Sequence, residues 1–142
     1  MLRKTAIILV VSAPIGTIRV NNDIPVGTEV FADPLIAKVF YNLMDNAVRY
    51  GGNVSTVRFS VEEQGDDCQI ICEDDGEGVI AEEKEKIFER GFGKSTGLGL
   101  FLSREILTIT GITILENGEP GKGARFEMKM HTGIWRREVE RI

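Results

Sequence analysis

Two glycine clusters separated by a short charged segment hold the residues whose types and spacing best suit ligand chemistry. They are Asp74-x-Gly76-x-Gly78 and Thr96-Gly97-Leu98-Gly99-Leu100. Glycines let the backbone approach a ligand closely, and a helix that begins in the second cluster would offer its free amides to an anion. A carboxylate fixed beside the first cluster can accept a hydrogen bond from an exocyclic amine such as that of adenine. The stretch predicts a nucleotide pocket, with the base at the first cluster and the phosphates at the second.

A strip of polar residues further upstream suits the same ligand. Asn42, Asn46 and Arg49 stand at i, i+4 and i+7 of a predicted helix and therefore share one face of it. An amide oxygen can ligate a magnesium ion that also holds phosphate oxygens, and an arginine can neutralise the charge that develops in phosphoryl transfer. A merely solvated face is the alternative, but glutamate and lysine would predominate there. Together with the glycine clusters, the strip favours a magnesium and phosphate site.

The hydrophobic pattern predicts the elements that must position these residues. Helices are expected at 33–50, with Asp33 as N-cap and Pro34 in the first turn, at 82–90 as a short charged helix, and at 98–110. Strands are expected at 16–22, 27–31, 54–62, 68–74, 112–116 and 124–130, the third and fourth forming a hairpin. The charged tail at 135–142 is expected to be a loose helical turn or frayed.

Composition and charge narrow the class of protein. A chain of 142 residues with 42% hydrophobic and 27% charged residues is expected to form one globular domain. Its net charge of −5 argues against a nucleic-acid partner, and no apolar run approaches the roughly 20 residues of a membrane span. The segment MLRKTAIILVVSA mimics a secretory signal, but its apolar run is at the lower limit for one. We expect residues 1–15 to be a strand, a packed linker or a truncation remnant.

Four segments, in chain order, resemble the nucleotide-binding boxes of sensor histidine kinases, which belong to the GHKL superfamily. They are NLMDNAVRY (42–50), DDGEG (74–78), IFERGF (87–92) and TGLGL (96–100), and GKGARF (121–126) is similar to the last glycine turn of the family. The resemblance covers about residues 16–130, which would be the catalytic domain, and leaves 131–142 as a tail. It implies an α+β fold of the Bergerat type: a two-layer α/β sandwich with a mixed, mostly antiparallel sheet and about three helices on one face.

The resemblance implies a role for each matched residue. Asn46 would ligate magnesium through its side-chain oxygen, Asn42 would support the phosphates of ATP, and Arg49 would approach the terminal phosphate. Asp74 would accept from the adenine amino group, and Tyr50 would pack on the ring. The other positions assigned to the nucleotide are Gly76, Gly78, Val79, Phe88, Phe92, Lys94, Thr96, Gly97, Leu98, Gly99 and Leu100.

A lid between the glycine clusters is also implied. Phe88 and Phe92 would anchor it, and Gly97 and Gly99 would present amides to phosphate. Lys94, inside the lid, is our candidate for a mobile phosphate contact, with a solvated loop lysine as the alternative. The expected catalytic set is Asn42, Arg49 and Lys94. Ser95 and Ala124 stand where these kinases often carry a glycine and a threonine, from which we expect altered affinity rather than a dead pocket.

Position 42 bears on the reaction. The ATP-hydrolysing relatives place a water-activating glutamate four residues before the metal-binding asparagine. Here that residue is Asn42, whose neutral amide cannot take a proton from water, and Asp45 points away. We therefore expect a protein histidine kinase domain, cytoplasmic, that transfers the γ-phosphoryl of Mg-ATP to a histidine on a separate dimerisation domain. His131 follows the last strand without a helix or an acidic neighbour and is expected to be a surface residue.

A response regulator downstream is the further expected partner, and we expect neither nucleic-acid binding nor direct membrane contact by this domain. Two alternatives remain open. One is a protein serine kinase of the anti-sigma-factor type, and the other is a non-catalytic module whose lid closes on a nucleotide to gate partner binding.

Overall fold

Two β-sheets and two α-helices make up the residues that the computed structural model describes, which are 4–7, 18–92 and 99–137. The strands are β1 (Lys4–Ile7), β2 (Arg19–Asn22), β3 (Thr28–Ala32), β4 (Thr56–Gln64), β5 (Asp67–Asp74), β6 (Thr113–Glu116), β7 (Arg125–Met130) and β8 (Trp135–Arg137). The helices are α1 (Ile36–Tyr50) and α2 (Gly99–Thr108), and two short 3-10 helices span Ala81–Glu83 and Lys86–Phe88.

The larger sheet has the strand order β2-β4-β5-β7-β6. Only β2 and β4 pair in parallel, and the other neighbours are antiparallel. The smaller sheet, β1-β3-β8, is antiparallel throughout. The predicted α+β class with a mixed, mostly antiparallel sheet is therefore confirmed, as is the hairpin of β4 and β5.

One face of the larger sheet packs on the helices because its strands alternate apolar and polar residues. Along β7 the buried residues are Phe126, Met128 and Met130. Helix α1 buries a stripe at helical spacing, and the rings of Phe40 and Phe59 join it to β4 with centroids 5.6 Å apart. The stripe fixes the rotation of α1 and leaves its polar strip away from the core. No helix among the described residues is long and apolar enough to cross a membrane.

The predicted charged helix at 82–90 is wrong, because two short 3-10 helices occupy this segment. Its apolar residues Ile87 and Phe88 are adjacent in sequence, so an α-helix here would lack the stripe that anchors a helix to a core. The structure instead inserts Phe88 alone, 2% exposed, against Phe126, with ring centroids 6.2 Å apart.

The chain ends also differ from expectation. Residues 135–137 form β8 on β3 rather than a helical turn, since β3 offers a free edge to pair with. Of the alternatives for residues 1–15, the structure has a strand, β1, on the opposite edge of β3. Helix α1 begins at Ile36, later than predicted, although Asp33 Oδ1 still accepts from the Leu35 amide at 2.9 Å.

Candidate active site

A cavity of about 730 Å³ opens between α1, the segment that follows β5 and the start of α2. It brings together most of the predicted site residues that the structure describes. Those that line it are Asn42, Asn46, Arg49, Tyr50, Asp74, Gly78, Val79, Phe92, Gly99 and Leu100. Gly76 and Phe88 are buried behind the wall instead. Lys94, Thr96, Gly97 and Leu98 lie outside the described residues.

Asp74, the last residue of β5, sits at one end of this cavity with its carboxylate held in place. Its Oδ1 accepts from the amide of Gly76 at 2.9 Å and from that of Ala124 at 3.1 Å. No described residue donates to Oδ2. Burial raises the pKa of the Asp74 carboxyl above the ordinary value, while the two amides act in the opposite direction. One oxygen is therefore used by the protein and the other is free to accept from a ligand.

The next carboxylate, Asp75, is held by residues at the start of β4. It accepts from the amides of Ser55 at 2.8 Å and Thr56 at 3.1 Å and from the Ser55 hydroxyl. The hydroxyl contact is the main reason that the pKa of Asp75 is lowered. These bonds fasten the turn after β5 to the start of β4, and so they hold Asp74 at its position.

The glycines around Asp74 are required by contacts within the protein. A Cβ at Gly76 would lie 2.1 Å from the Gly51 carbonyl oxygen, and one at Gly78 would lie 2.8 Å from the Gly123 oxygen. At Gly123, where φ is +117°, a Cβ would lie 1.9 Å from the main-chain carbonyl oxygen of Asp74. From the sequence, Gly76 and Gly78 are expected to be glycines because they let the base approach the backbone. The structure adds another reason, which is the close packing of three backbone segments.

Asn42 joins the two helices that flank the other end of the cavity. Its Nδ2 donates to the Gly99 carbonyl at 3.1 Å and to the Ser103 hydroxyl at 3.2 Å. Ser103 donates in turn to the same carbonyl at 2.8 Å. These bonds fix the first turn of α2 against α1, and no described residue donates to the side-chain oxygen of Asn42.

Asn46 and Arg49 follow Asn42 along α1, one and two turns further towards its C-terminal end. Asn46 is half-buried, lines the cavity and has no hydrogen-bond partner among the described residues. Arg49 donates from Nε to Asp45 Oδ2 at 2.9 Å, in an ion pair that remains largely exposed. From the sequence, Asp45 is expected to point away from the site, but this residue lines the cavity and pairs with Arg49. Its spacing of four residues from Arg49 on one helix indicates such a pair.

The predicted lid anchors lie in two environments. Phe88 is in the core, and the guanidinium carbon of Arg104 lies 4.3 Å from its ring centroid. Phe92 is half-buried and lines the cavity. Arg90 lies over the ring of Phe101 on α2, with its guanidinium carbon 5.6 Å from the centroid. The described part of this segment is thus tied to α2 as well as to the sheet.

His131 lies beside an acidic residue that is distant in the sequence. Its Nδ1 lies 3.4 Å from Asp67 Oδ1, because β5 begins beside the end of β7. The histidine is exposed, as expected, and does not line the cavity.

Comparison with known proteins identifies the family. Residues 32–134 match the family described as histidine kinase-, DNA gyrase B- and HSP90-like ATPases. The chain belongs to this family. The matched range holds every described element that lines the cavity of this ATPase domain.

Two curated relatives are a sensor protein and a sensor histidine kinase. The domain is 38% identical over 98 residues to the alginate biosynthesis sensor protein KinB of Pseudomonas aeruginosa, covering 66% of this chain and 16% of that protein. It is 33% identical over 124 residues to the sensor histidine kinase ZraS of Escherichia coli O157:H7, covering 84% of this chain and 26% of that protein. The chain thus spans a minor part of each relative.

A solved structure shares the fold. Full-length ShkA in complex with AMPPNP superposes with a TM-score of 0.68 at 20% identity, over 85% of this chain and 27% of that one. The predicted resemblance to the catalytic ATP-binding domains of sensor histidine kinases is confirmed.

Proposed function

We propose that this domain binds Mg-ATP and transfers its γ-phosphoryl group to a histidine on a separate dimerisation domain of a two-component sensor kinase. The observation that carries the proposal is the Asp74 carboxylate, which is fixed by two backbone amides in a cavity that Asn42, Asn46 and Arg49 also line. One cavity would thus offer a hydrogen-bond acceptor to an amine and amide and guanidinium groups to phosphates.

Asp74, Gly78 and Ala124 would form the base end of the site. Oδ2 of Asp74 would accept from the adenine amino group, because Oδ1 is already occupied by the amides of Gly76 and Ala124. Guanine would place a carbonyl oxygen at this position and would be repelled by the carboxylate. Tyr50 and Val79 line the cavity and would pack on the ring.

Asn42, Asn46 and Arg49 would form the phosphate end. The side-chain oxygen of Asn46 is the candidate ligand for magnesium, since its amide is not engaged by any described residue, and Asn42 offers a second amide oxygen one turn earlier. Bound magnesium would neutralise part of the charge on the phosphates. Arg49 would leave its exposed ion pair with Asp45 and approach the terminal phosphate, which carries more negative charge than one carboxylate. Gly99 would add a backbone amide at the start of α2.

Transfer is favoured over hydrolysis by the residue at position 42. Its amide donates to Gly99 and Ser103 and cannot act as a base towards water. Asp45, the nearest carboxylate on the same helix, is paired with Arg49. The site therefore positions the terminal phosphate for attack by another group, which would be an imidazole nitrogen presented by a partner domain.

The proposed partners are the histidine-bearing dimerisation domain and, after transfer, a response regulator. The proposed setting is the cytoplasm. Neither a nucleic acid nor the membrane is expected to contact this domain directly, in keeping with its net charge of −5.

The experiment uses radiolabelled ATP with this chain alone and then with a cognate dimerisation hairpin at high concentration. We expect label on the hairpin histidine and little phosphate release without it, because an untethered acceptor must be concentrated to dock. A hairpin variant lacking its histidine is the control. Label on His131, on a serine of a protein partner, or brisk phosphate release from the chain alone would contradict the proposal.

A further inference from the structure

A buried ion pair lies behind the base end of the cavity, outside every residue assigned to the nucleotide. The side chain of Glu116, the last residue of β6, is 0% exposed, and that of Lys84, between the two 3-10 helices, is 25% exposed. Lys84 Nζ donates to Glu116 Oε1 and, at 2.7 Å, to the Gly118 carbonyl. Glu116 Oε2 accepts from the amides of Gly118 at 2.9 Å and Arg125 at 3.0 Å.

These bonds close the loop 117–124 at both of its ends. The amide of Arg125 bonds to Glu116, and the amide before it, that of Ala124, bonds to Asp74. Within the loop, Gly123 packs on the Asp74 carbonyl, and the Gly121 amide donates to Glu77 at 2.7 Å. Asp74 and Glu116 therefore accept from the amides of two successive residues, Ala124 and Arg125, where β7 begins. A shift of Glu116 would move the Ala124 amide, which orients Asp74.

Lys84 adds a third segment to this arrangement. The chain that runs from Gly78 to Lys84 supplies cavity wall at Val79, Ile80 and Glu83. Through Lys84 this wall is tied to Glu116 and to the Gly118 carbonyl. The loop and the wall meet at the ion pair.

We infer that Glu116 and Lys84 are positioning residues for the nucleotide base, which set the orientation of Asp74 through the loop 117–124. This inference rests on the proposed nucleotide site. A purely structural pair is the competing account, because buried ion pairs are often replaceable without loss of stability. The two accounts differ in what they predict for the two ends of the site. A positioning role affects the base end alone, whereas a general loss of structure affects both ends.

The test measures binding of two probes by calorimetry, adenosine for the base end and inorganic tripolyphosphate with magnesium for the phosphate end. The variants are Lys84→Met and the double variant Lys84→Met with Glu116→Gln. In the double variant the amides of Gly118 and Arg125 keep an acceptor and no buried charge is left unpaired, so it remains informative if the single variant folds poorly. Lys122→Met is the matched control, since its pair with Glu119 lies in the same loop but is exposed on both sides.

We expect adenosine affinity to fall roughly tenfold in both Lys84 variants, as a small misplacement of a binding group suffices for such a loss. Tripolyphosphate affinity should stay at the wild-type value, and the Lys122 variant should match wild type for both probes. Unchanged adenosine binding in folded variants, or an equal fall for both probes, would overturn the inference alone. A wild-type chain that binds neither probe would overturn the proposed function and this inference with it.

Discussion

The two ends of the cavity differ in how much of their order the protein itself supplies. At the proposed base end, Asp74 is fixed by two backbone amides and surrounded by glycines packed against other backbone segments. At the proposed phosphate end, the described residues offer Asn46 no hydrogen-bond partner and hold Arg49 by one exposed ion pair. The described residues therefore hold Asp74 and, at the other end, Asn42 more firmly than they hold Asn46 and Arg49. Substitutions around Asp74 should therefore change folding and binding together, whereas a substitution of Asn46 should change binding with little change in stability.

The largest effect should come from Gly123→Ala at the base end. The new Cβ would lie 1.9 Å from the main-chain carbonyl oxygen of Asp74, and the φ of +117° at this position disfavours any residue with a side chain. We expect a loss of about 2–4 kcal/mol in the free energy of unfolding, with loss of adenosine binding. Chemical denaturation and calorimetry would measure both. Gly121→Ala is the control, because φ is +87° there and nothing lies within 4 Å of the added atom. A control as damaging as the test variant would show that backbone strain, and not the contact with Asp74, is responsible.

Asp74→Asn should separate stability from function at the same end. An amide nitrogen in place of Oδ2 would face the adenine amine, so ATP binding should weaken by about 1.5–3 kcal/mol, or tenfold or more. Because burial raises the pKa of Asp74, the folded state binds this proton more tightly than the unfolded chain, and the ionised carboxylate lowers stability above the ordinary aspartate pKa. The variant should therefore be the more stable protein at pH 7 without nucleotide.

That stability advantage should disappear as the pH falls through the raised pKa towards the ordinary one, since the wild-type carboxyl is then protonated. Thermal unfolding of both proteins across this range would measure it. A variant that is less stable than wild type at neutral pH would contradict the assignment of burial as the main cause of the shift.

Asn46→Ala should act on the phosphate end alone. Alanine is favourable in a helix, so the free energy of unfolding should change by no more than about 0.5 kcal/mol. The gain in ATP affinity on adding magnesium should shrink by about tenfold, while adenosine binds as before. Titrations with and without the metal would measure this. Retention of the full magnesium effect would place the metal ligand elsewhere.

The smallest effect should follow Asp45→Asn, which releases Arg49. An exposed i, i+4 pair contributes about 0.3–0.5 kcal/mol, and the loss of stability should stay within that range. ATP affinity should be unchanged or slightly higher, because Arg49 no longer has to leave a carboxylate. A marked loss of ATP affinity would show instead that Asp45 holds Arg49 in its binding position.

The same contrast explains how much the sequence could predict. Asp74 and the residues of α1 stand in short motifs whose spacing places them on one surface, and the structure brings them into one cavity. Glu116 and Lys84 were not predicted, because they are 32 residues apart in the sequence. The pairing of β6 with β7 and the path of the chain after Asp74 bring them together, and no local pattern reports either. Likewise β8 depends on the free edge of a strand more than a hundred residues earlier, which no local pattern reports.

The most direct test of the central claim compares MgATP with MgGTP binding to the wild-type chain by calorimetry. The phosphates and the metal are the same in both ligands, so any difference reports the base end alone. The free oxygen of Asp74 should accept from the adenine amine and repel the guanine carbonyl, and ATP should bind roughly tenfold or more tightly. Equal affinity for the two nucleotides would contradict the placement of the base at Asp74.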